Sequence, residues 1–230
     1  MAEVQLQNNI TRSILHAAKA KQYAVGAYNC YNTDGIMAVI RAAEAKKSPA
    51  VIQLFPWTLH FQGPEFVRYV ERAAHAAPVP IAVHLDHCIN PADIALALTM
   101  PFDSIMIDGS TLDESANVEI CAGSEDVYGD FLAPSFGNIH GGYGPSGPEK
   151  SWNTDLLSKI ASTIEQPLVL HGTHPVSDQH FRKAIDCGVA KINVNRAVRD
   201  EYTKFVAENA GKLELTVLKV QAVDIYTKSI

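Results

Sequence analysis

Three histidines, His87, His140 and His171, each stand where an apolar, strand-like run gives way to a polar or glycine-rich turn: IAVHLDHC (81–88), FLAPSFGNIHGG (131–142) and PLVLHGTH (167–174). Three neutral imidazoles that leave a fourth position open are the donor set of a catalytic zinc rather than of a closed structural one. Asp86 directly precedes His87, and neighbouring side chains on a strand point to opposite faces. The two can share a site only if the strand ends there, and Asn90-Pro91 just beyond marks such an ending. On that reading Asp86 is an acid/base, His87 a metal ligand, and His84 lies one layer deeper. The glycines after the other two histidines (Gly141, Gly142 and Gly172) let backbone approach a ligand closely and free amide N–H groups for an anion.

Imidazoles from separate stretches of chain can meet only in a fold that gathers many strand ends at one place, and a parallel barrel does so. Strand-like runs at 23–29, 50–55, 81–86, 104–109, 131–136, 167–172 and 191–195 alternate with helical segments near 8–20, 33–47, 64–77, 91–98, 113–121, 153–165, 177–187 and 196–208. Thr33, Asn90 and Ser177 are the expected helix caps. This alternation is the pattern of βα units around a parallel sheet. Eight helices against seven strands predict a (β/α)₈ barrel with one strand unaccounted for. The gap falls after the 113–121 helix, where little more than GSEDVYGD (123–130) precedes Phe131, whereas a βαβ crossover takes at least about 10–12 residues. One βα unit is therefore expected to be missing near 122–128. An intact mass near 25.0 kDa for the expressed protein counts against that expectation, and a mass several kilodaltons higher supports it. The glycine-rich stretch 137–151 is read as a long functional loop at the catalytic face.

Composition bounds the class. A chain of 230 residues, 47% hydrophobic, builds one well-buried domain, here 1–230, rather than two. No run reaches the roughly 20 apolar residues of a membrane span, and the first twenty residues lack a signal-peptide stretch, so a soluble, cytoplasmic protein is expected. Cys30, Cys88, Cys121 and Cys187 are scattered with no CxxC pair, which fits free thiols in a reducing compartment. A net charge of −6 with no basic stripe argues against nucleic acid as a partner. It leaves room for a phosphorylated small molecule, which needs only a few local donors.

Several long motifs, in order, then carry a resemblance. HLDHC (84–88), IMIDGS (105–110), SFGNIHGGYGP (135–145), VLHGTHPVSD (169–178) and KINVNRAVRDEY (191–202) resemble the class II, zinc-dependent fructose-bisphosphate aldolases, and AYNCYNTDGIMAVIRAAE (27–44) is similar to that family's first βα unit. The resemblance runs from about residue 10 onward. It implies a (β/α)₈ barrel, a homodimer or larger homo-oligomer, zinc held by His87, His140 and His171, and Asp86 as catalytic acid/base. It further implies cleavage of fructose 1,6-bisphosphate to dihydroxyacetone phosphate and glyceraldehyde 3-phosphate. Tagatose bisphosphate or another ketose phosphate is the nearest alternative substrate.

Charge placement agrees with that chemistry. Breaking the C3–C4 bond leaves a carbanion beside a carbonyl, which a Lewis acid on the carbonyl oxygen relieves, while Asp86 takes and returns the C4 hydroxyl proton. Glu125 in GSED is the candidate for a second carboxylate that exchanges a proton at the carbanion carbon. Gly141, Gly172 and Thr173 are expected to cradle phosphate. Arg196 is expected to pair with it because its guanidinium fork matches phosphate oxygens. Asn193 and Asn29 are assigned to the substrate by resemblance. An assisting monovalent cation, Na⁺ or K⁺, is a further cofactor expectation.

Three departures from the family bear on substrate choice: His174 in the His171-Gly-Thr-His turn, Phe55-Pro56-Trp57 after the second strand, and the expected lack of a C-terminal helix bearing an arginine for the distal phosphate, for which Lys219 and Lys228 are not assumed to substitute. Two rival readings are a Schiff-base aldolase using Lys191, which sequence places at the N-terminal end of its strand and away from the mouth, and a barrel kept for binding alone.

Overall fold

The computed structural model describes residues 9–120 and 130–230. Six parallel strands form one sheet in the order β4-β3-β2-β1-β6-β5: β1 (Val25–Asn29), β2 (Ala50–Leu54), β3 (Ile81–Cys88), β4 (Ser104–Ile107), β5 (Leu168–Leu170) and β6 (Val189–Val194). Helices run between them and beyond: α1 (Ile10–Ala20), α2 (Thr33–Lys46), α3 (Pro56–His75), α4 (Pro91–Ala97), α5 (Thr154–Thr163), α6 (Asp178–Asp186), α7 (Arg196–Asn209) and α8 (Leu215–Lys228). A further helical stretch lies at 114–120. The sheet curls: β6 and β3 are separated by β1 and β2, yet Asn193 on β6 reaches Asp86 on β3. Among the described residues it is a curled half-barrel of six strands, short of a closed eight-stranded ring.

Strand alternation gives the sheet two unlike faces. Ile52, Leu54, Ile81, Val83 and Leu85 point outward and pack with Ile36 and Val39 of α2 and Val67 and Val70 of α3. The inner face is apolar at the N-terminal end of the strands, where Ile14, Leu15 and Ala18 of α1 pack on Val25, Ala27, Val51, Ala82 and Ala190. Leu15 is fully buried, which contributes about 1.5–3 kcal/mol. Toward the C-terminal end the inner positions turn polar, with Gln53 in register with both Asn29 and His84. An apolar plug below and a polar layer above leave the C-terminal mouth as the place for chemistry.

Caps follow local chemistry with one shift. The Asn90 side chain accepts from the Ala92 amide at the start of α4. At α2 the capping side chain is Asn32, which accepts from the Asp34 and Gly35 amides, rather than Thr33. Ser177 occupies the N-cap position of α6 but bonds His180 instead of the backbone.

Other expectations are corrected. The run 131–136 is extended but meets the sheet only at a bridge between Leu132 and Leu168, because Pro134 cannot donate to a ladder. Helix α3 begins at Pro56, ahead of the expected 64, and is interrupted at Gly63, which has φ 76°. Helix α8 was not expected. Leu218, Ala222, Val223 and Tyr226 are its buried face, and Leu215, Val217 and Val220 are exposed. Apolar residues on both faces erase the periodicity by which a helix is read.

Candidate active site

The path of β3 explains how Asp86 and His87 come to share a site. The pairing of β3 with β4 shifts register between Leu85 and Cys88, and His87 adopts φ 56°, a left-handed conformation uncommon outside glycine. The strand does not end at His87, as sequence suggested, but continues to Cys88 through this bulge. Bulges re-aim a side chain without ending a strand. Asp86 keeps its inward direction, and His87 swings to the same mouth, with its Nε2 3.9 Å from Asp86 Oδ2.

His87, His140 and His171 converge. Their ring centroids are 4.8–5.4 Å apart, and one nitrogen of each lies within 4.8 Å of the others. Zinc takes imidazole nitrogens at about 2.0–2.1 Å, and three donors this close together could share one ion. The donor chemistry fits a divalent metal in two further ways. The Asp108 carboxylate sits 2.7 Å from His87 Nδ1, the arrangement that directs the other ring nitrogen at a metal. Burial lowers the His171 imidazole to about 3 against the opposing pull of Asp86, and partial desolvation on the cavity side, with His87 beside it, lowers the more exposed His140, which favours neutral donors.

Below the histidines lies a buried polar floor. Asp86 Oδ2 accepts from Asn29 Nδ2 at 3.1 Å and Gln53 Nε2 at 3.0 Å, and Oδ1 accepts from Asn193 Nδ2 at 3.2 Å. Lys191 Nζ donates to Gln53 Oε1 at 2.5 Å and to Asn193 Oδ1 at 2.7 Å. Burial opposes ionisation of Asp86, but the nearby Lys191 ammonium is the largest influence against it, and the carboxyl stays below its ordinary value. Burial pushes Lys191 down to about 8 against the pull of Asp86. His84, two residues before Asp86 on β3 and in register with Gln53, lies one layer deeper than Asp86; its Nδ1 is 2.8 Å from Ser104 Oγ, and its Nε2 has no hydrogen-bond partner among the described residues.

A cavity of about 280 Å³ opens above this floor. Asn29, Asp86, His87, His140, Gly141, His171, Gly172, Thr173, Asn193 and Arg196, all singled out from sequence, line it together, with Phe55, His174, Asn195 and Arg199. Glu125 lies outside the described residues. Gly172 has φ 68°, and a Cβ there would meet the Ile139 carbonyl oxygen at 2.3 Å, so the turn after His171 needs glycine. The Thr173 hydroxyl donates to the Asn193 carbonyl. Arg196 and Arg199 share the Asp200 carboxylate at 3.3 and 3.6 Å, and Arg199 lies over the Tyr31 ring. Phe55 adds an aromatic wall, stacked toward His87 and in contact with the same Tyr31.

Sequence reasoning missed Gln53, Asp108 and the position of Lys191. Lys191 is in mid-strand and reaches the floor beside Asp86 rather than standing away from the mouth. Asp108 had a usable signal: it closes the strand next to the one that carries His87.

Comparisons with known proteins agree with this geometry. The family model described as "Fructose-bisphosphate aldolase class-II" matches residues 9–128 and 123–228. A Coccidioides immitis protein carrying the fructose-bisphosphate aldolase name is 35% identical, covering 95% of this chain and 89% of its own. A fructose-bisphosphate aldolase of Thermus caldophilus is 28% identical over 86% of each chain. A sulfofructosephosphate aldolase of Alkalicoccus urumqiensis is 30% identical over 84% of this chain and 82% of its own. Among solved structures, one from Coccidioides immitis named for the same aldolase superposes with a TM-score of 0.91 at 34% identity, covering 97% and 94% of the two chains. The YdjI aldolase of Escherichia coli K12 gives 0.86 at 25% identity, covering 95% and 92%.

The alignment with the Coccidioides relative runs over 272 positions against a chain of 230, so at least 42 positions (272 less 230) face no residue here. The two family matches overlap at 123–128, where the sequence lacks room for a crossover. With 35% identity over nearly its whole length and the family model spanning 9–228, the chain belongs to the class II fructose-bisphosphate aldolase family.

Proposed function

We propose that this protein is a zinc-dependent aldolase that cleaves and re-forms the C3–C4 bond of fructose 1,6-bisphosphate, with dihydroxyacetone phosphate and glyceraldehyde 3-phosphate as products. It would work as a cytoplasmic homo-oligomer in glycolysis or gluconeogenesis. Tagatose 1,6-bisphosphate, which differs only in the stereochemistry of the hydroxyl next to the broken bond, is the alternative substrate. The observation that carries the reading is the convergence of three imidazoles beside a buried carboxylate held ionised, Asp86.

His87, His140 and His171 would hold the zinc, with Asp108 fixing the His87 ring. When bound, zinc supplies the Lewis acidity that lets negative charge move from carbon onto the C2 oxygen of the substrate. Asp86 takes the C4 hydroxyl proton on cleavage and returns it on condensation, a role typically worth about 10²–10⁴-fold. Asn193, by resemblance, bonds the dihydroxyacetone half, and Asn29 contacts the substrate. Gly141 and Gly172 offer backbone N–H groups to phosphate, and the guanidinium of Arg196 faces the same oxygens. Thr173 holds the Asn193 carbonyl in place. Glu125 would exchange the proton at the carbanion carbon, and a monovalent cation, Na⁺ or K⁺, completes the proposed cofactors.

Assaying both bisphosphates side by side tests the reading. Cleavage that is lost on chelation and regained with Zn²⁺ is expected. EDTA-resistant activity with a borohydride-trapped adduct on Lys191 would replace it with a Schiff-base mechanism. No cleavage of either sugar by the zinc-loaded protein would leave the binding-only barrel.

A further inference from the structure

Lys191 is completely buried and sits outside the lining of the site cavity, and its hydrogen bonds go to Gln53, to which the proposed reaction gives no direct role, and to Asn193, which bonds the substrate in that proposal. Removing an ammonium from water is costly, and a well-packed apolar residue often serves stability as well. Its contacts suggest what it gives in return. An ammonium only donates hydrogen bonds, whereas a carboxylate only accepts them. Gln53 and Asn193 lie between the two. Each turns its amide oxygen to Lys191 and its amide nitrogen to Asp86. A side-chain amide can ordinarily rotate by a half-turn at small cost, since its oxygen and nitrogen are nearly equal in size. Here a half-turn would set NH₂ against the ammonium and oxygen against the carboxylate, making two repulsions from two attractions. With a neutral group in place of Lys191, only the Asp86 end would oppose the rotation.

We propose that Lys191 is a positioning residue that fixes the amide orientation of Gln53 and Asn193, so that both aim N–H groups at Asp86 and keep its carboxylate in one place as a proton acceptor. Asn193 extends the effect to the metal site, because the same Nδ2 lies 3.1 Å from His171 Nε2. The role deepens the aldolase reading above and rests on it.

The test uses the full-length, zinc-loaded protein and the bisphosphate that the wild type cleaves better. Lys191→Met keeps the length of the side chain and removes the charge. The expected result is a kcat lower by about 10²-fold, the low end of a general acid–base contribution, with KM within about threefold and zinc content unchanged. A double-mutant cycle with Gln53→Met separates positioning from mere packing. Gln53→Met lowers kcat in the parent but costs little more once Lys191 is Met, because the amide it removes has already lost its orientation. The proposal is overturned if Lys191→Met keeps kcat within about threefold of the parent, or if the two costs multiply as for independent sites. If Lys191→Met is recovered unfolded, Gln53→Met alone decides: a folded, zinc-replete variant at full kcat rejects the proposal, and one slowed at unchanged KM supports it. Wild-type protein that cleaves neither sugar rejects the aldolase reading itself, and this inference with it.

Discussion

Beneath the three histidines, Asn29, Gln53, Asp86, Lys191 and Asn193 are all buried, and each bonds at least one of the others. Around them, His140 and Arg196 are exposed, and Arg196 and Arg199 are tied to the rest of the molecule by a shared surface carboxylate and an aromatic face. The floor is a closed network in which losing one partner strands another away from water, at about 1–3 kcal/mol or more for a charged group. The rim is solvated, and its ion pairs are worth about 0–1 kcal/mol. The contrast assigns the two parts different work: the floor governs the chemical step, and the rim governs how tightly an anion is held.

Substitutions can break that division or sharpen it. The largest effect belongs to Asp86→Ala, for which kcat falls by about 10³-fold or more with zinc still bound; parent-like turnover in a steady-state assay would remove Asp86 from the chemistry. Next come the groups that hold the metal. His171→Ala should be purified with little zinc by elemental analysis, whereas Asp108→Ala keeps all three ligands and weakens zinc by about 10–100-fold in a competition titration. On the rim, Arg196→Ala should raise KM for the bisphosphate about tenfold at nearly constant kcat, the loss of a charge-assisted contact. A fall in kcat equal to that of a floor variant would erase the distinction. Smallest is Phe55→Ser, which swaps the aromatic wall for a hydroxyl and should lower KM for a bisphosphate by about two- to threefold, one added neutral hydrogen bond.

The same contrast explains what could be read in advance. Rim and ligand residues stand at strand ends followed by glycine or a turn, so His87, His140, His171, Gly141 and Gly172 announce themselves in one dimension. The floor does not. Gln53 hides within AVIQLF, which reads as one apolar run, and Lys191 looked like a strand opener because β6 begins earlier, at Val189. Its role depends on a partner 138 positions away, a pairing that only the curl of the sheet creates. The reach of His87 was expected, but its cause was not, since a bulge leaves no mark in residue type. Helix α8 escaped because its apolar residues face both ways, and 131–136 has the composition of a strand without a continuous ladder.

The left-handed turn at His87 has one more consequence. Holding a non-glycine residue there costs on the order of 1–3 kcal/mol, which the surrounding fold has already met. The main chain at this ligand is thus already set, and capturing an ion asks for no slow rearrangement of it lasting microseconds or longer. Loading of the centre should then be limited by diffusion and by dehydration of the arriving ion rather than by any motion of β3.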